Sequence, residues 1–280
     1  MKVISIYNQK GGVGKTTATI QIASWIAYGG SRVLVVDADI QANLTNALLN
    51  NSEYIENEEY LGFGEAVDGQ TDIESIIQTA SIEVRSGFSA KDVGIDVIPI
   101  NKTREYKFFT SGPYAVKELF DKVSRKYDYV LVDYPPERPY IGNIEDKDVF
   151  NLVALCLIAT DSVITPCTPD EDSFSGLDIL AEHINSIRKE YNPEIKNLGC
   201  FLNNVGKYDT DKFIQQMCEG PFKDSGLYSG YSIRTSGIIK SSRLKYRPLA
   251  WYFSGNAVAN EYKKLTEYII GKKIKVKEDK

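Results

Sequence analysis

Eight consecutive residues, Lys10, Gly11, Gly12, Val13, Gly14, Lys15, Thr16 and Thr17, bring two ammonium groups, three glycines and two hydroxyls together directly after the apolar run Val3 to Tyr7. A strand feeding a glycine-rich turn and then a helix aims several backbone N–H groups and a helix N-terminus at one anion. Glycine suits such a turn because a Cβ would obstruct the phosphates or the positive φ angles. In that chemistry Lys15 neutralises the β- and γ-phosphates of a nucleoside triphosphate, and the Thr16 hydroxyl ligates Mg²⁺. The stretch predicts a triphosphate cradle.

Carboxylates appear where such a cradle needs them. Val33 to Val36 form a continuous apolar run, the pattern of a strand buried on both faces of a parallel sheet. The run ends in Asp37 and Asp39, whose spacing of two points both side chains the same way at the C-terminal edge of a strand. Ligands of open α/β sheets sit at that edge. Paired acids after a strand also serve as helix N-caps, so both readings stay open. A second apolar run, Tyr129 to Val132, ends in Asp133.

The general P-loop pattern has glycine five residues before Gly14, and Gln9 stands there instead. A second lysine, Lys10, opens the loop, and NQKGGVGKTT resembles the deviant Walker A motif of the ParA/MinD family of dimeric ATPases. VLVVDADIQANLT and YDYVLVDYPPE extend the resemblance over most of the chain, the latter as a Walker B element. The resemblance implies ATP and Mg²⁺ as cofactors and a homodimer that sandwiches nucleotide. Lys10 would reach the partner's ATP, Asp39 would place the attacking water, and with Lys15 these are the implied catalytic groups. Thr16, Asp37 and Asp133 would surround the metal, Asp133 through water. Asn203 falls where the family reads adenine with an amide, and Asn204 could do so equally well. Tyr134 and Ile40 depart from the threonine and proline more usual in the family.

The expected fold is α/β, a doubly wound, mostly parallel sheet with helices on both faces, in a single domain over residues 1–280. With 42% hydrophobic and 25% charged residues, and no linker-like stretch, the chain can bury a substantial core. Further strands are expected at Ile95 to Ile100, Ser162 to Pro166 and Leu198 to Val205. Helices are expected at Lys15 to Tyr28, Tyr114 to Lys126, Phe174 to Tyr191, Thr210 to Glu219 and Asn256 to Ile270. The segments 50–59 and 137–148 read as surface loops. Cys156, Cys167, Cys200 and Cys218 lack CxxC spacing and read as buried small hydrophobes rather than a zinc, redox or cluster site. His183 reads as structural.

The chain carries a net charge of −5, yet Ser225 to Asn260 contains no acid and holds Arg234, Lys240, Arg243, Lys245 and Arg247. A patch of one sign on an acidic protein suits a polyanion, and it matches where small ParA proteins carry a surface for duplex DNA. Only Met1 and Lys2 precede the first strand, so the resemblance is to the short type without an N-terminal helix-turn-helix. Such proteins are partition ATPases, stimulated by a ParB-like centromere-binding protein. No leader and no apolar run of about 20 residues occurs, so a cytoplasmic, nucleoid-associated protein without a membrane partner is expected.

Three other functions share parts of this pattern. A MinD-like membrane ATPase would use the C-terminal helix Asn256 to Ile270 as an amphipathic anchor, though Gly271 stops that helix and a core-packed role suits it better. A bacterial tyrosine kinase would need a tyrosine-rich tail, and residues 269–280 contain no tyrosine. A ligase or amidase of the same superfamily would need a substrate pocket that no motif marks.

Overall fold

The computed structural model describes residues 1–49, 59–80, 94–104, 106, 108–170, 176–244 and 247–275, without the side chains of residues 210, 212, 217, 221, 243 and 244. Expectations for residues 50–58, for Phe174, and for Lys245 fall outside that description.

Among the described residues the strands are β1 (Lys2–Ile6), β2 (Val33–Asp37), β3 (Gln78–Thr79), β4 (Ile95–Ile98), β5 (Tyr129–Asp133), β6 (Ile141–Ile144), β7 (Lys147–Phe150), β8 (Ser162–Cys167), β9 (Lys196–Val205) and β10 (Tyr228–Arg234). Eight of them form one sheet in the order β10-β9-β8-β1-β5-β2-β4-β3. Neighbours run parallel except at the edge, where β3 pairs antiparallel with β4. The sheet is the mostly parallel one expected from the apolar runs.

Alternation along the central strands explains why helices cover both faces. Ile4, Ile6, Val33, Val35 and Leu131 pack with α1 (Lys15–Tyr28) and with a C-terminal helix over Ala257–Ile270. Val3, Leu34, Val36, Val130 and Val132 point the other way, toward helices over Ala115–Val123, Leu152–Ile158 and Leu177–Glu190. In chain order the helices are α1, α2 (Asn43–Leu49), α3 (Phe63–Val67), α4 (Ala115–Val123), α5 (Leu152–Ile158), α6 (Leu177–Glu190), α7 (Asp209–Met217), α8 (Gly237–Leu244), α9 (Leu249–Tyr252) and α10 (Ala257–Ile270).

α1 carries no polar stripe because it is enclosed almost all round, with Ile22 and Trp25 at 0% exposure. α10 buries Val258, Tyr262, Leu265 and Ile269 against that same layer. Its end is closed by Gly271 in the left-handed region at φ 66°. Glu267 then gathers the tail, accepting from the Lys263 and Lys273 ammonium groups and from the Ile274 N–H. Although burial alone would raise it, those bonds hold the Glu267 carboxyl down at about 2.

The segment 137–148, read as a loop, contains most of an antiparallel hairpin instead. β6 pairs with β7 around Glu145 and Asp146, at φ 50° and 61°. Two successive left-handed residues make the turn that best matches strand twist, here without the usual Asn-Gly. The expected strand over 95–100 stops at Ile98, and the one over 198–205 begins earlier, at Lys196. All four cysteines are free and buried.

Candidate functional site

β1, β2, β5, β8 and β9 all end on one edge, and the loops leaving that edge hold the predicted residues. Gly12 and Gly14 carry φ of 78° and 90°, so the turn between β1 and α1 has the left-handed backbone that its glycines permit. Gly14 meets a second demand. A Cβ there would lie 2.3 Å from the Asn203 amide nitrogen, which itself donates to the Val13 carbonyl at 2.8 Å. Asn203 is thus a strut under the loop, buried at the end of β9.

Lys15 is only 7% exposed at the start of α1. Its ammonium donates to the Lys10 carbonyl at 3.0 Å. Burial lowers its pKa, while Asp133 and Asp39 pull it back up. Lys10 meets Asp170, just beyond β8, at 2.6 Å. Gly11 and Gly12 are exposed, whereas Val13 is buried, so the loop shows its backbone outward and anchors by its one apolar side chain. Thr16 and Thr17 open α1, half-buried.

The three aspartates divide their tasks. Asp37 and Asp133 are register partners on β2 and β5, and both are fully buried. One Asp37 oxygen accepts from the Thr45 N–H at 2.8 Å and hydroxyl at 2.7 Å, and the other accepts from the Asp39 N–H at 3.1 Å. Burial nevertheless pushes Asp37 up to about 7. Burial, and then the neighbouring Asp37 charge, push Asp133 up to about 8, against the Thr16 hydroxyl hydrogen bond and the Lys15 charge. Its Oδ2 is buried without a hydrogen-bond partner. Asp39 is 8% exposed and accepts from the Gln41 N–H at 2.9 Å in an Asx turn ahead of α2, whereas the first-turn Thr45 N–H of α2 is held by Asp37, so the capping alternative is realised by Asp37.

An orphaned carboxylate oxygen beside a threonine hydroxyl fits a hard cation that takes oxygen ligands. Among the described residues no group of three or more His, Cys, Asp or Glu is arranged to hold a metal alone. A cation here would complete its shell with phosphate and water, as Mg²⁺ habitually does.

Beside the loop lies an open cleft of about 1150 Å³ lined by Asp170, Asn204, Tyr208, Asp211, Arg234 and Glu261, among others. Asn204 adopts φ 61° and is exposed there, so of the two asparagines it is the one that faces the cleft. Sequence reading missed Asp170, Asp211 and Glu261 of the cleft, because their only signal is proximity after folding.

The basic residues of the window meet different partners. Arg234 is held by Glu261 of α10, through its backbone N–H at 2.9 Å and its guanidinium. Arg247 stacks its guanidinium 4.8 Å from the Tyr252 ring centre. Lys240 is exposed on α8, and Arg243 lies on the same helix with its side chain outside the description.

A family model described as an AAA domain matches residues 1–197. The sporulation initiation inhibitor protein Soj of Bacillus subtilis is 29% identical over 205 residues, 72% of each chain. The chromosome partitioning protein ParA of Caulobacter vibrioides is 25% identical over 284 residues, covering 97% of this chain and 95% of its own. The chain belongs to the ParA family of partition ATPases. An ATP complex of a Cyanothece McdA variant shares its fold at a TM-score of 0.77 and 18% identity, over 99% of each chain. Within the ParA family's fold the two departures have visible consequences. The Tyr134 hydroxyl reaches back beneath β1 to the Ser5 hydroxyl at 2.6 Å, with its ring edge-on to Tyr7 at 5.2 Å, while Ile40 stands exposed beyond Asp39.

Proposed function

We propose that this ParA-family chain is an ATP-driven partition motor formed by one ATPase module. It binds ATP with Mg²⁺ at the 10–17 loop, pairs with a second copy around two nucleotides, holds duplex DNA without sequence preference, and hydrolyses ATP when a ParB-like centromere-binding protein engages it. The observation that supports the reading is the buried, unpartnered Oδ2 of Asp133, a carboxyl within the influence of Lys15 and Thr16 at the start of α1.

The proposed roles combine placement with what the family resemblance implies. Lys15, already desolvated, supplies the main positive charge to the β- and γ-phosphates. Backbone N–H groups of Gly11 to Thr17 cradle the same phosphates, and Asn203 keeps that backbone in shape. Thr16 and Asp133 would hold the metal, with Asp37 behind them. Bound Mg²⁺ would supply charge neutralisation as the terminal phosphoryl group departs. Asp39 orients the attacking water, and Lys10 acts on the nucleotide of the facing subunit. The adjoining cleft takes the base and sugar, with Asn204 rather than Asn203 offering a free-standing amide toward the base. Lys240, Arg243, Lys245 and Arg247 form the DNA-facing set, and such contacts to phosphate give affinity without reading sequence.

The membrane-anchored alternative is disfavoured by α10, whose apolar residues are spent on the core beside α1. Among the described residues no helix is long and apolar enough to cross a membrane.

Binding to random-sequence duplex DNA, measured across salt with ATP, ADP or neither, tests the reading. The expected result is tight, salt-sensitive binding in ATP alone, with a log K against log salt slope that flattens by about 0.9 for each phosphate contact removed. Equal binding in all three conditions, or none in ATP, would overturn the motor while leaving the nucleotide site to be judged by itself.

A further inference from the structure

Lys10 is held at three points. Its N–H donates to the Asn8 side-chain oxygen at 2.9 Å, its carbonyl accepts the Lys15 ammonium at 3.0 Å, and its own ammonium meets Asp170 at 2.6 Å. Asp170 is prepared for this contact. The Thr168 hydroxyl donates to its second oxygen, and its N–H donates to the Thr168 carbonyl at 2.8 Å across Pro169. The two segments, 160 residues apart, are also stapled beside the ion pair, because buried Asn8 donates to the Pro166 carbonyl at 2.8 Å. The Lys10–Asp170 contact is therefore a built one, set by two loop ends that are tied to each other.

This arrangement conflicts with any task that takes the Lys10 ammonium outside its own subunit. We infer that Asp170 is an intramolecular competitor for Lys10, so that pairing of two chains around nucleotide must break the Lys10–Asp170 contact. The inference rests on the sandwich reading given above. Asp170 is a positioning residue in this account, because it acts on nucleotide only through Lys10. The Lys10 and Asp170 side chains are 35% and 43% exposed, which caps the strength of the competition. A pair so accessible to water shifts an equilibrium by roughly two- to fivefold.

Sedimentation velocity with saturating non-hydrolysable ATP analogue and Mg²⁺ tests it on wild type, Asp170→Asn, Lys10→Ala and the double variant. Saturation removes any effect of Asp170 on nucleotide affinity. Asp170→Asn should dimerise at a two- to fivefold lower protein concentration than wild type, and the gain should vanish in the Lys10→Ala background, as a direct coupling requires. A dimerising wild type beside an unchanged or weaker Asp170→Asn overturns the competition alone. The same gain with and without Lys10 overturns it too, by showing that Asp170 acts on something else. A wild type that stays monomeric overturns the sandwich reading and the inference with it.

Discussion

The nucleotide edge and the C-terminal basic window were equally conspicuous in the sequence, yet folding treats them in opposite ways. At the edge, groups distant in the chain converge. Lys15, Asp37, Asp133 and Asn203 arrive on four different elements, and each gains contacts that fit one task. In the window, groups close in the chain are answered by different partners. Arg234 turns into the cleft and meets Glu261, the first acid beyond the acid-free stretch, while Arg247 lies against Tyr252 and Lys240 stays in solvent. A run of one charge in sequence is thus a statement about neighbours along the chain, and a single carboxylate from a later helix can cancel part of it. A glycine-rich turn between strand and helix, by contrast, fixes its own geometry within a few residues, so its sequence survives folding as a site.

If that contrast holds, damage at the edge should remove function and damage in the window should only grade it. Asp39→Ala should still bind ATP while turnover falls by roughly 100-fold or more, because the water loses its orienting group. Normal steady-state hydrolysis in that variant would take Asp39 out of the mechanism. Asn203→Ala removes one neutral hydrogen bond to the loop, worth about 0.5–1.5 kcal/mol, so ATP affinity by calorimetry should weaken about two- to tenfold. Unaltered affinity would mean that the loop keeps its shape without the strut. In the window, Lys240→Ala should lower the salt slope of DNA binding by about 0.9, whereas Arg234→Ala should leave the slope alone because its charge is already answered by Glu261. The reverse pattern would show that Arg234 leaves Glu261 when DNA binds.

The smallest effect concerns protons. Folded Asp37 and Asp133 keep theirs up to about 7 and about 8, whereas an unfolded aspartate loses its proton near 4. Between those limits the folded chain binds more protons than the unfolded one, so stability falls as pH rises. Without Mg²⁺ or nucleotide the melting temperature should therefore drop from pH 6 to pH 8.5 by a few degrees more in wild type than in Asp133→Asn. Parallel curves would mean that Asp133 is already ionised in the folded protein.

The parts of the fold legible in sequence are those with local signatures. α1 occupies the span read for it, Lys15–Tyr28, because a glycine turn starts it and Gly29 and Gly30 follow it. β2 and β5 announced themselves as unbroken apolar runs because both of their faces are covered. Elements without such marks went unread. α5 is a seven-residue apolar stretch that periodicity cannot tell from a buried strand, and only the Asn151 cap, accepting from the Ala154 N–H at 3.0 Å, declares it a helix. The β6–β7 turn uses Glu145 and Asp146 where an Asn-Gly pair would have signalled a hairpin. In the site, Lys10, Lys15, Asp37 and Asp133 were legible as chemistry on strand and loop ends. Asp170 and Glu261 were not, since each matters through a partner that only tertiary structure supplies.

In the proposed site Lys15, at the start of α1, and Asp133, at the end of β5, together bind magnesium and nucleotide. Calorimetric titration of wild type, Lys15→Ala and Asp133→Asn with ATP, with and without Mg²⁺, addresses it directly. Wild type should bind ATP more tightly with Mg²⁺ than without, Lys15→Ala should lose about 100-fold in affinity, equivalent to about 2.7 kcal/mol, and Asp133→Asn should lose most of the Mg²⁺ enhancement. Retention of wild-type affinity by Lys15→Ala, or of the full Mg²⁺ effect by Asp133→Asn, would contradict the account.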